Sequence, residues 1–104
     1  MSFTGNEDHK ITFSKGAEIT KNYRLQMPTN SILGGYMSKA AIESLFTQEG
    51  IVGIRIYYGI DEGKQTFVIC GVDSAEGDQI GDDYSCLDST IPCPNFCTVS
   101  ILNS

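Results

Sequence analysis

Three of the four cysteines fall in the twelve residues CLDSTIPCPNFC, as Cys86, Cys93 and Cys97, with Pro92 and Pro94 on either side of the middle one. Cysteine sulfur can ligate a soft or borderline metal, close a disulfide or act as a nucleophile. Cys70 stands on an apolar stretch leading towards the cluster, so four thiolates could in principle enclose Zn²⁺ tetrahedrally. Six residues separate Cys86 from Cys93 and three separate Cys93 from Cys97, and only the second interval matches the paired spacing of a zinc knuckle or ribbon. The prolines fix φ around Cys93 and reduce the entropy lost when two sulfurs converge, which serves a metal and a disulfide equally. Three readings stay open: structural zinc on Cys70, Cys86, Cys93 and Cys97, a disulfide or redox pair at Cys93 and Cys97, and inert thiols.

Dithiol catalysis needs a depressed thiol pKa, from a helix N-terminus, a cation or a close second thiol. Around Cys93 and Cys97 there is no Lys, Arg or His, and the nearest charge, Asp88, works in the opposite direction. The single His, His9, lies in a polar arm and reads as solvated. The acidic run Asp73, Glu76, Asp78, Asp82 and Asp83 lacks the alternate-position order of an EF-hand loop and reads as a solvated turn. Arg55 and Tyr57 share one face of a strand, and Arg24 follows Tyr23 on a helix. Such a set could clasp an anion or a carboxylate-bearing partner. The plainer reading has Arg55 cover apolar surface with its stem and pair with a carboxylate such as Glu43 or Glu49. Gly34 and Gly35 lack the strand-to-helix context of a phosphate loop. No motif names a reaction, so nothing marks the chain as an enzyme.

The elements that must position these residues follow from periodicity. Phe13, Ala17, Thr20 and Met27, with Tyr23 nearby, repeat at three-and-four spacing and predict a helix over 14–26, capped by Ser14 and ended by Pro28. PTNSILGGY reads as a connector. Ala41, Ile42, Leu45 and Phe46 predict a second helix over 38–48 with Ser38 as its cap. GIVGIRIYYGI alternates as a strand, with Val52, Ile54, Ile56, Tyr58 and Ile60 on one side and Arg55 and Tyr57 on the other. DEGK supplies a turn around Gly63, and QTFVICGVD returns as the second strand of a hairpin. Both faces of that return strand are apolar. A short third strand is expected near Gln79 and Ile80.

The order predicts one α+β domain over 1–104: two N-terminal helices on a small antiparallel sheet built around the hairpin, a loose arm at 1–12 and an irregular cysteine-rich tail at 84–104. A chain of 104 residues can bury roughly 60% or more of its unfolded surface, so the cysteines are optional to folding. With 7 basic and 13 acidic residues the net charge is −6, which disfavours nucleic acid and anionic membranes as partners. No apolar run reaches membrane-spanning length, and MSFTGNEDHK is not a signal peptide, so a cytoplasmic protein is expected.

KNYRLQ at 21–26, VGIRIYYGIDEGKQTFVICGVDSAEGD at 52–78 and PCPNFC at 92–97 together resemble a family of small bacterial proteins. In that family a Tyr-Arg helix precedes a GIRIYYG strand, a hairpin, a GVD-type turn and a proline-flanked Cys pair. The resemblance implies one continuous fold and carries no activity. The expectation is therefore a non-enzymatic interaction or structural module that takes a protein partner or forms a homodimer. Its hairpin has two apolar faces, and two short helices can cover only one. A tail folded back through Leu87, Ile91, Phe96 and Val99 is the alternative cover. The alternative function is a zinc or thiol-redox protein centred on the cysteines.

Overall fold

The computed structural model describes residues 2–104, so of the N-terminal arm only Met1 lies outside the description. In chain order the elements are α1 (Phe13–Gln26), β1 (Gly34–Tyr36), α2 (Lys39–Phe46), β2 (Ile51–Asp61), β3 (Lys64–Asp73), β4 (Cys86–Ser89) and β5 (Ile91–Cys93). β2, β3 and β4 form a three-stranded antiparallel sheet in that order, and β1 pairs antiparallel with β5 in a second, two-stranded sheet. The architecture is α+β.

α1 begins one residue earlier than its periodicity implies. Thr12, not Ser14, is the cap: its backbone is extended and its Oγ1 accepts from Lys15 N at 3.0 Å, whereas Ser14 is already helical. Met27 leaves the helix in an extended conformation, as a residue before proline must. No residue of α1 is buried. The helix stands beside the hairpin, with Ile19 and Tyr23 lining a groove of about 220 Å³ opposite Tyr58 and Phe67. Arg24 ties it to the tail, donating from Nη1 to Leu102 O at 3.0 Å and from Nη2 to Ser104 O at 2.6 Å.

α2 is capped by Ser38, whose Oγ accepts from Ala41 N at 3.1 Å, and it packs against β2 and β3 with Leu45 fully buried. The hairpin runs in register from Gly53↔Val72 to Asp61↔Lys64 and turns through Glu62 and Gly63, both at positive φ (50° and 78°). That is the left-handed pair a two-residue hairpin turn requires, and its twist matches the flanking strands.

The third strand is not where the sequence put it. After Asp73 the chain makes one turn and touches β3 again through the single bridge Val72↔Asp78, then leaves at residue 80. It rejoins β3 as β4, pairing Phe67 with Ser89 through Cys70 with Cys86. Asp73 organises the turn, its Oδ1 accepting from Ala75 N at 3.0 Å and Gly77 N at 2.9 Å. The region 84–104 thus contributes β4 and β5 between irregular stretches. The two sheets meet where Ser89 Oγ donates to Tyr36 O at 2.6 Å.

Among the described residues the buried apolar core is small, consisting of Leu45, Ile69, Cys70 and Val72. The accessible surface is 7889 Å², against about 5,700 Å² for a folded monomer of this mass. The radius of gyration is 15.4 Å, where a compact domain of this length has about 13 Å. The chain leaves some 2,000 Å² uncovered, by the same area scaling, that a typical monomer would bury.

Candidate functional site

β2 presents two different faces. Arg55 and Tyr57 project to one side, and the register places Cys70 and Val68 beside them on β3, with Cys86 and Asp88 beyond on β4. The bridge at Val72↔Asp78 carries Asp78 to the same side. Its Oδ1 accepts from Arg55 Nη1 at 2.5 Å and its Oδ2 accepts from Tyr57 Oη at 2.5 Å. Arg55 Nη1 and Nη2 also donate to Glu76 O, at 3.3 and 3.4 Å. The carboxylate partner of Arg55 is therefore Asp78, not Glu43 or Glu49. Glu43 faces Lys39 at 3.9 Å, and Glu49 offers its main-chain oxygen to Gln79.

The bond from Tyr57, and then those from Arg55 and the Cys70 thiol, hold the Asp78 carboxyl below the usual carboxylate range. The same bond raises the Tyr57 hydroxyl above its ordinary value, and Asp78 raises Arg55 further. Burial, followed by the Asp78 charge, pushes the Cys70 thiol up. Both terminal nitrogens of Arg55 and the Tyr57 hydroxyl are thus engaged inside the chain by Asp78 or Glu76.

The four cysteines separate into two pairs. Cys93 and Cys97 form a disulfide with a Cα–Cα distance of 5.3 Å, at the end of β5 where Cys93 pairs with Gly34 of β1. Cys70 and Cys86 are free thiols opposite one another on β3 and β4, the first buried and the second exposed. Among the described residues no group of three or more His, Cys, Asp and Glu side chains gathers closely enough to share an ion. His9 is exposed and borders a groove of about 570 Å³ between the N-terminal arm and the start of β2, with Phe3, Glu7, Phe46 and Arg55. The arm is fixed there by Phe3 N, which donates to Ser74 O at 2.9 Å.

The opposite face of β2 carries Ile54, Ile56, Tyr58 and Ile60, and it is open. Ile56 is 58% exposed, Tyr58 83% and Ile60 81%. β2 is also an edge strand, paired among the described residues only with β3. The hydrogen-bond phase follows from β3: Gly71 O accepts from Gln79 N and Asp73 N donates to Gly77 O, so odd residues of β3 address the β4 side and even ones address β2. Their partners on β2 are Arg55, Tyr57 and Gly59, which leaves the N–H and C=O groups of Ile54, Ile56, Tyr58 and Ile60 along the free edge. One row of residues supplies both exposed apolar side chains and unpaired backbone groups.

No family model matches the chain, and no curated protein or solved structure matches it. Among the described residues, no helix is long and apolar enough to cross a membrane. Sequence reasoning singled out Arg55, Tyr57 and the cysteines but missed Asp78 as their hub. The signal was present in DSAEGD, where Asp73 and Gly77 make a turn tight enough to bring Asp78 back onto β3.

Proposed function

We propose that this chain is a small non-enzymatic module that works by protein contact, and that its first partner is a second copy of itself along β2. The observation that carries the reading is the row Ile54, Ile56, Tyr58 and Ile60, apolar, exposed and at an unpaired sheet edge. An edge of this length and composition is a template for further strand pairing unless something covers it. The uncovered surplus of about 2,000 Å² per chain exceeds the roughly 800 Å² that each partner loses in a standard interface, so there is ample surface for one.

A second copy fits because an antiparallel edge is self-complementary about a two-fold axis. Centred on Tyr57, the pairing sets Ile56 against Tyr58 of the other copy and Ile54 against Ile60. The outward backbone groups of these residues then bond to each other across the axis. Charge does not oppose this register: Arg55 is neutralised by Asp78, and Asp61 falls opposite Gly53. Zinc or thiol chemistry, the competing reading, would have to operate through Cys70 and Cys86, since Cys93 and Cys97 are joined.

Light scattering on the purified chain at micromolar concentration tests the proposal. A dimer is expected for the wild type and a monomer for Tyr58→Lys with Ile60→Lys, with circular dichroism unchanged. A wild type that stays monomeric overturns the self-association reading. Stoichiometric zinc in elemental analysis would favour the competing one.

A further inference from the structure

Cys70 and Cys86 are register partners across β3 and β4, and the phase of β3 decides what kind of pair they make. Odd residues of this strand point their N–H and C=O groups towards the β4 side, as Gly71 and Asp73 do. The β2–β3 register is regular from Gly53 to Asp61, so that alternation persists along β3. Cys70, an even position, meets Cys86 as a non-hydrogen-bonded pair. Pairs of this kind bring Cα atoms to about 4.5 Å, with both side chains on one face. A disulfide spans Cα separations of about 4.4–6.8 Å, so this pair can close without moving the backbone.

We propose that Cys70 and Cys86 are a thiol–disulfide exchange site, which closes as a second intramolecular disulfide on meeting a small-molecule disulfide such as oxidised glutathione. Cys86 is the exposed member and makes the first attack. Its thiolate attacks one sulfur of the external disulfide, forming a mixed disulfide and expelling one thiolate. The Cys70 thiolate then attacks the Cys86 sulfur, forms the Cys70–Cys86 bond and expels the second. The two protein thiols are oxidised, the external disulfide is reduced to two thiols, and the two protons lost by the cysteines end on those thiols. Burial and the neighbouring Asp78 favour the protonated Cys70, which slows the second step. The pair lies on β3 and β4, away from the free edge of β2, so its closure does not depend on the proposed self-association.

The experiment incubates the full-length wild-type chain with oxidised glutathione at neutral pH, blocks residual thiols with a maleimide under denaturing conditions and weighs the intact protein. The expected result is loss of both alkylatable thiols with no glutathione retained, unchanged on dilution, and a fragment linking Cys70 to Cys86 after proteolysis. Cys70→Ser should stop at a glutathione adduct on Cys86. A wild type that stops at that adduct, couples only between chains, links Cys86 to Cys93 or Cys97, or keeps both thiols alkylatable overturns the proposal.

Discussion

Tyr57 donates its hydroxyl proton to Asp78 Oδ2 at 2.5 Å, on the carboxylate whose other oxygen already receives Arg55. Asp78 therefore holds the loop after β3 against the outer strand, and its charged form is the one the fold prefers. A carboxyl held below its unfolded value of about 3.9 contributes stability above that pH and loses it as pH falls through the lower folded value. Tyr57 behaves in the mirror sense: its raised hydroxyl contributes below about pH 10 and loses that contribution as pH rises through the folded value. Melting temperature followed against pH should show Asp78→Asn lower by a few degrees at neutral pH and flatter on the acid side. Tyr57→Phe should be flatter on the alkaline side. Unchanged acid and alkaline limbs in both variants would remove Asp78 as the organiser of this face.

Gly71 sits under a relay of amides. Gln48 Nε2 donates to Gln79 Oε1 at 2.8 Å, Gln79 Nε2 donates to Glu49 O at 2.9 Å, and Ser85 N donates to Gln48 Oε1 at 2.8 Å. A Cβ at Gly71 would overlap both glutamine side chains and leave buried amide groups without partners. Gly71→Ala is expected to cost about 1–3 kcal/mol, and Leu45→Ala, which empties the only fully buried large side chain among the described residues, about 2–5 kcal/mol. Chemical denaturation reads both. A neutral Gly71→Ala would show that the relay can move aside.

The strongly periodic parts of the chain were legible because local chemistry decided them. The Ser38 cap, the alternation of β2 and the positive φ at Gly63 each rest on a neighbour within a few residues. The cap of α1 shifted by two residues because Thr12 and Ser14 offer the same hydroxyl, and only the entry angle of the chain selects between them. β4 was illegible for a different reason: CLDS is too short to show a period, and its partner is chosen by the excursion at 80–85. Asp78 was hidden from Arg55, twenty-three residues away, because their contact needs both the turn at 73–77 and the pairing of β2 with β3. Division of the cysteines also depended on tertiary pairing, since sequence spacing offered Cys93 with Cys97 but gave no sign that Cys70 faces Cys86.

The Cys93–Cys97 disulfide closes a short loop at the end of the smaller sheet, outside the hairpin. Loop-closure entropy for so few residues is worth about 2 kcal/mol. Cys93→Ser with Cys97→Ser should still unfold cooperatively, with β1, β5 and the Arg24 anchor loosened and β2–β3 intact. Hydrogen exchange resolves these regions separately. Global loss of protection would make the disulfide a staple of the whole fold.

The edge of β2 yields the most direct test of self-association. Ile56 directs its N–H away from β3, so proline there removes an outward donor without breaking a bond of the hairpin. Ile56→Pro should keep its β-sheet signal with a melting temperature lower by a few degrees, yet sediment as a monomer. Each copy carries a net charge of −6, so two copies repel through water, and that repulsion is screened over about 10 Å at 0.1 M salt. Dimerisation of the wild type should accordingly strengthen as salt rises from low ionic strength, because apolar side chains and backbone pairing, not ion pairs, hold the interface. Weakening with salt would point to a charged contact elsewhere on the surface, and an Ile56→Pro variant that remains dimeric would remove the β2 edge from the interface.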